Sequence, residues 1–433
     1  MKNNRHFSFF TFHSSLLVLL LLFLAPCSSY TKEKKEKKPK QEKISSLQKS
    51  ARTALKNQSG QDAARNALLA AMARPDVGNK QKADSYYLAA LLEESLNGVE
   101  NKKAYLKQSY DTARFFNKLR DMHDQLRFCD SIDHLPDAKG KVHPRMQKKT
   151  RALRLKHRRN IFGGGKFYLA KKNYAAAYPF FDIYCTYKEK KAEGGGTAKA
   201  DTLLAQAELW ATLSAFLSDN WTGTVKHTDA AIPHTDTLTA AVLQEYKIRS
   251  YAKLGNDSAW VDALKQGIRN YPQHDYYFVQ LADWYHAQRK YDEERNLAAD
   301  LIRRTGGKAI HYYAMSKSYL AEDDYELCIL YSDSTIALKD DFSDAYYNKG
   351  ISYLNMAVVV QETSCKDAGD PRYAEDRLRA QELFRQARPC METVRKLQPE
   401  KPDLWASPLY RIYLNLNLGE EFMEIDRLLH TKK

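Results

Sequence analysis

The segment of this 433-residue chain that comes nearest to a ligand-binding signature is Gly163-Gly164-Gly165-Lys166. A phosphate-cradling loop has the form GxxxxGK[ST], in which backbone N–H groups surround the phosphates and the hydroxyl holds magnesium. Here Asn160 stands at the first glycine position and Phe167 replaces the hydroxyl. No stretch alternates apolar and polar residues as a half-buried strand does, so nothing delivers such a loop. A nucleotide or other cofactor is therefore not expected. His134 and His143, and separately His227 and His234, sit in polar stretches. Neither pair has the three- or four-residue spacing that sets two ligands on one helix face. All four are read as surface or loop histidines, and no metal site is expected. HExxH, GxSxG and kinase signatures are absent. The acidic residues suit solvated helix faces and nominate no acid–base pair. These readings together point away from an enzyme.

The six cysteines, Cys27, Cys129, Cys185, Cys328, Cys365 and Cys390, are widely spaced and include no CxxC pair. Neither a zinc module nor a disulfide framework is signalled. The net charge of +15 is unevenly spread. Residues 139–160, KGKVHPRMQKKTRALRLKHRRN, hold ten Lys/Arg and no acidic residue. This stretch is expected to be a loop leading into a solvated helix. The bland reading is a charged surface that serves solubility. The functional reading makes Lys148, Lys149, Arg151, Arg154, Arg158 and Arg159 a patch for an anionic partner or membrane surface.

Residues 1–29 have the form of an export signal. Lys2 and Arg5 precede the apolar run Leu16 to Ala25, which is of signal length and short for a bilayer span. An uncleaved anchor starting near Phe7 would have to bury Thr11, His13, Ser14 and Ser15. Leu24-Ala25-Pro26-Cys27 resembles a bacterial lipobox, which makes Cys27 a lipidation candidate, although Pro26 replaces the usual small residue. Cleavage after Ser29 is the competing reading. Either route places the mature chain outside the cytoplasm, in the periplasm or at the outer membrane, which argues against nucleic acid as the partner of the basic stretch. Residues 30–43 form a basic linker; its segment TKEKKEKKPKQEK has no apolar side chain to offset the entropy of ordering.

The elements that would have to position any site are helices, and they repeat. From Ile44 the apolar residues recur at helical spacing, giving an N-terminal helical region over 44–157 with longer helices at about 80–97 and 102–128. Tyr251, Tyr285, Tyr319 and Tyr353 then recur every 34 residues. In the unit from Asp275, Phe278, Leu281, Ala282, Tyr285 and Tyr291 occupy a pattern repeated by Tyr312, Met315, Ser316, Tyr319 and Tyr325. A unit from about 158 to 191 follows the same pattern with Gly165, Tyr168, Tyr174, Ala177 and Phe181, while 205–240 is degenerate. The period is interrupted at 357–372, and a closing helix pair turning at Gly419 ends the chain.

This pattern resembles the tetratricopeptide repeat (TPR) family over residues 158–433, and the layout is similar to exported bacterial repeat proteins of unassigned function. The resemblance implies an all-α, right-handed solenoid of helix hairpins with a concave groove for a protein or peptide. The periodic tyrosines become core. Groove positions carried over from the family fall on Tyr276, Val279, Asp283 and His286, then Ile310, Tyr313 and Lys317, then Tyr347, Ile351 and Asn355. The expected function is a non-catalytic scaffold in the bacterial cell envelope. The alternative is a glycan-binding envelope lipoprotein, which would need exposed aromatic platforms such as Trp221 or Trp405.

Overall fold

The computed structural model describes residues 42–137, 139–187 and 201–430. The expectations for the signal, for Cys27 and for nearly all of the linker lie outside the described residues. Eighteen α-helices and no strand occur among the described residues, so the chain is all-α. None of these helices is long and apolar enough to cross a membrane.

The helices follow one another as hairpins. The first four are α1 (Ile44–Asn57) with α2 (Gln61–Ala71), α3 (Asn79–Tyr105) with α4 (Thr112–Asp133), α5 (Gln147–Ala170) with α6 (Tyr174–Thr186), and α7 (Leu204–Phe216) with α8 (Trp221–Ala231). A 3-10 turn at Ile232–His234 leads to α9 (Thr237–Lys253) with α10 (Asp257–Asn270). Then come α11 (Asp275–Ala287) with α12 (Tyr291–Thr305), and α13 (Ala309–Ala321) with α14 (Tyr325–Leu338). The last two are α15 (Ser343–Thr363) with α16 (Pro371–Leu397), and α17 (Pro402–Asn415) with α18 (Gly419–His430). Each helix packs on its neighbours in sequence, which makes the architecture an α-solenoid of TPR-type hairpins.

The period is written into the turns. Lys172, Asp219, Gly255, Arg289, Asp323 and Asn417 adopt φ between +54° and +66° at the turn between the two helices of a hairpin. The next residue's N–H returns to the carbonyl of Tyr168, Ala215, Tyr251, Tyr285, Tyr319 and Tyr413 respectively, at 2.9–3.1 Å. This six-residue closure satisfies a carbonyl that would otherwise end its helix unpaired. Asn173, Asn220, Asn256 and Asp324 then cap the second helix, each side chain accepting a backbone N–H three residues on. The tyrosine interval is therefore tied to the turn as well as to packing.

Packing explains the glycine run. A Cβ at Gly164 would lie 2.6 Å from the Phe180 ring, and one at Gly165 would lie 2.5 Å from the Phe181 ring. These two glycines let α5 meet α6 at ring contact, within a core of Leu119, Leu126, Ile161, Phe162 and Tyr168. The run lies inside a helix and is not a loop, so its phosphate-loop likeness has no structural counterpart.

Three features depart from the expected layout. The degenerate stretch folds as the regular hairpin α7/α8, but it buries polar groups: Glu208, Thr212, Ser214, Thr224, His227 and Thr228. Thr212 and Thr228 satisfy their hydroxyls on carbonyls one turn back, at 2.9 and 2.7 Å. The break at 357–372 is mostly a lengthening, since α15 runs through Thr363 and α16 begins at Pro371. The periodic rings of Tyr251, Tyr285, Tyr319 and Tyr353 are only half-buried and pack against the core from its edge. A tyrosine at such an edge keeps its ring dry and its hydroxyl near water. Tyr277, just beside them, is fully buried: its ring lies against Gly267, and its hydroxyl donates to the Ala241 carbonyl.

Candidate partner-binding face

The first helices of successive hairpins touch one another at the α7/α9, α11/α13, α13/α15 and α15/α17 junctions. These first helices form one row along the solenoid. The residues nominated for the groove lie on α11, α13 and α15 of that row. None of the ten is buried: Asp283 is exposed, and Tyr276, Val279, His286, Ile310, Tyr313, Lys317, Tyr347, Ile351 and Asn355 are half-buried. Their helix neighbours Tyr277, Phe278, Leu281, Ala282, Ala314 and Met315 are buried. Helical periodicity thus divides each first helix into a core side and an accessible side.

The structure brings part of this set into direct contact. Lys317 Nζ lies 2.8 Å from Asp283 Oδ1, one repeat away. It also lies 4.0 Å from Glu294 Oε1. The other Glu294 oxygen accepts from His286 Nδ1 at 2.8 Å. Glu294 is fully buried, so its carboxylate depends on these two cationic or donor neighbours. Sequence reasoning did not nominate it. A signal was available: Glu294 occupies the repeat position held by Ala177 and Cys328 in other units, where a carboxylate has no packing role. Tyr313 stacks at a tilt on Phe342, with ring centroids 4.9 Å apart, and the Arg249 guanidinium lies 5.3 Å from the Tyr276 ring centroid. Burial raises the Tyr313 phenol pKa above its ordinary value, so the hydroxyl stays protonated as a donor. The resulting face alternates rings with an ordered charge network.

The basic stretch divides differently from the expected patch. Residues 147–160 lie within α5, and Lys148, Lys149, Arg151 and Arg159 are exposed. Arg154 and Arg158 turn inward and are only 5% and 8% exposed. Arg154 Nη1 bonds Asp130 Oδ2 at 2.6 Å and its guanidinium lies 4.0 Å from the Tyr187 ring centroid. Arg158 bonds Asp201 at 2.5 Å and lies 3.9 Å from the Tyr184 centroid. The two are one helical turn apart, so facing carboxylates and rings claim both. Arg154 and Arg158 are therefore packing residues, not the surface residues that the charge run implied.

His227 also departs from the surface position expected of it. It is 3% exposed, whereas His134, His143 and His234 are on the surface as expected. Its Nδ1 lies 2.6 Å from Glu208 Oε2 and its Nε2 lies 2.8 Å from Asp182 Oδ1. Burial alone would lower its pKa, but the two carboxylates outweigh burial and hold it above the ordinary value. Sequence spacing missed this cluster because its members come from α6, α7 and α8 rather than one helix.

Trp405 does not supply the platform that glycan binding would need. It is 5% exposed, and its Nε1 donates to the Gln398 carbonyl at 3.0 Å. Trp221 is half-buried and meets Phe216 edge-on, with centroids 5.7 Å apart.

No family model matches the sequence, and no curated protein matches it. Among solved structures, a TPR repeats protein from Bacteroides fragilis is 13% identical, with 63% of this chain and 98% of that chain covered at a TM-score of 0.30. The C-terminal part of a TPR repeat-containing protein from Cytophaga hutchinsonii is 11% identical, covering 61% and 95% at a TM-score of 0.40. The Cut9–Hcn1 assembly of the APC/C is 12% identical, covering 90% and 75% at a TM-score of 0.31. The assignment of TPR-type hairpins to this chain rests on its own 34-residue period, turns and helix order.

Proposed function

We propose that this protein is a non-catalytic scaffold whose row of first helices holds a protein or peptide partner. The observation that carries this reading is the accessibility of all ten groove residues on helices whose adjacent positions are core. Half-buried tyrosines suit such a surface because the ring excludes water while the hydroxyl keeps a hydrogen bond. The Asp283–Lys317 pair would fix the register of a polar partner group against them. The apolar run Leu16 to Ala25 supports action outside the cytoplasm, in a cell envelope.

The test is replacement of Tyr276, Tyr313 and Tyr347 by alanine together, with affinity measured for a partner identified by crosslinking in intact cells. Loss of central aromatic anchors typically costs about 2 kcal/mol or more each, so a weakening of well over tenfold is expected. Unchanged affinity with intact helical content would remove this face from the account.

A further inference from the structure

We propose that Cys185, Glu208 and His227 form a binding site for one zinc ion that ties α6, α7 and α8 together. One ligand atom from each residue lies within 4.8 Å of the others, and the residues are 3%, 4% and 3% exposed. Thiolate, imidazole and carboxylate are the donors zinc takes, at about 2.3 Å for sulfur and about 2.0–2.2 Å for nitrogen and oxygen. Tetrahedral bonds of that length put the donors roughly 3.3–3.6 Å apart. The observed 2.6 Å between Nδ1 and Glu208 Oε2 would open, and separations as long as 4.8 Å would close by up to about 1.5 Å.

The surroundings are those of a ligated histidine. Asp182 holds Nε2 at 2.8 Å, which fixes the ring and turns Nδ1 toward Glu208. A carboxylate behind a histidine is the usual support for a metal ligand. Lys226 in turn contacts Asp182. Zinc binding releases the Cys185 thiol proton and the Nδ1 proton. The ion and Lys226 then balance the charges of the thiolate, Glu208 and Asp182. The fourth coordination position falls to water.

The place in the fold gives the site a purpose. The hairpin α7/α8 buries Thr212, Ser214, Thr224 and Thr228, and its buried apolar side chains are alanines alone: Ala207, Ala211, Ala215 and Ala231. It therefore gains less from hydrophobic packing than its neighbours. A metal bridging one residue from each of three helices supplies the missing tie, since binding energy at such a site is folding energy.

The experiment uses the full chain, stripped with a chelator and titrated with cobalt(II) as a spectroscopic probe and with zinc by calorimetry. The expected result is one equivalent of cobalt with a thiolate-to-cobalt charge-transfer band, displaced by zinc. Zinc should raise Tm by several degrees where magnesium does not. Cys185→Ser should abolish the band, while Cys328→Ser, at another buried thiol, should keep it. His227→Gln should weaken cobalt binding at least tenfold in protein of unchanged helical content. A stripped wild-type chain that shows neither band nor zinc-dependent Tm shift would overturn the site. So would a band that persists in Cys185→Ser.

Discussion

His123 on α4 shows how a single side chain sets the pH response. It is 3% exposed, and neither ring nitrogen has a hydrogen-bond partner. Burial, with smaller contributions from Arg154 and His157, lowers its pKa to about 3. The folded protein keeps this ring neutral, while the unfolded chain protonates it near pH 6.5. Its contribution to stability is therefore full above that pH and is lost as pH falls toward 3. Between pH 7 and pH 5 the loss comes to about 2 kcal/mol. His123→Phe should flatten this dependence, as read by urea denaturation at the two pH values. An unchanged slope would mean that the ring is protonated in the fold. At this scale the sequence was legible where periodicity decides burial, as for Phe278, Leu281 and Ala282. It was not legible where burial depends on partners distant in sequence. Arg154, Arg158 and His227 looked solvated because Asp130, Asp201, Asp182 and Glu208 meet them only in the fold.

At the scale of the element, α5 and α6 depend on two small residues with different duties from their neighbour. Gly164→Ala would drive a methyl into the Phe180 and Phe116 rings, at 2.6 and 3.1 Å, and should destabilise by about 1–3 kcal/mol. A Cβ at Gly163 would meet Phe116 at an ordinary 3.5 Å. Gly163→Ala should therefore gain up to about 1 kcal/mol from helix propensity. Thermal denaturation of the two variants checks the contrast, and equal destabilisation would contradict the packing account. Helix order and turns were readable because glycine, proline and capping Asn or Asp act locally. The hairpin α7/α8 carries the same signals, Asp219 in the left-handed turn and Asn220 as cap. Its apolar pattern looked degenerate because buried threonines satisfy themselves on their own helix. The period breaks at 357–372 because α15 and α16 are both lengthened, with polar residues on solvated helix turns as well as in the short connection.

At the scale of the whole molecule, quasi-one-dimensional stacking separates architecture from recognition. Each hairpin contacts its neighbours, so the sequence must repeat wherever hairpins meet, and it is free to vary wherever they face a partner. That is why the period was visible from four tyrosines and the partner was not. The row of first helices carries Tyr276, Tyr313 and Tyr347 beside the Asp283–Lys317 pair, whereas α14 presents Leu330 at 55% exposure on a second helix. The most direct measurement of the scaffold account is site-specific photo-crosslinking in intact cells, with the reactive side chain placed at position 313 or at position 330. The account predicts a discrete protein adduct from position 313 and none of comparable yield from position 330. An adduct that forms from position 330 and not from position 313 would contradict it.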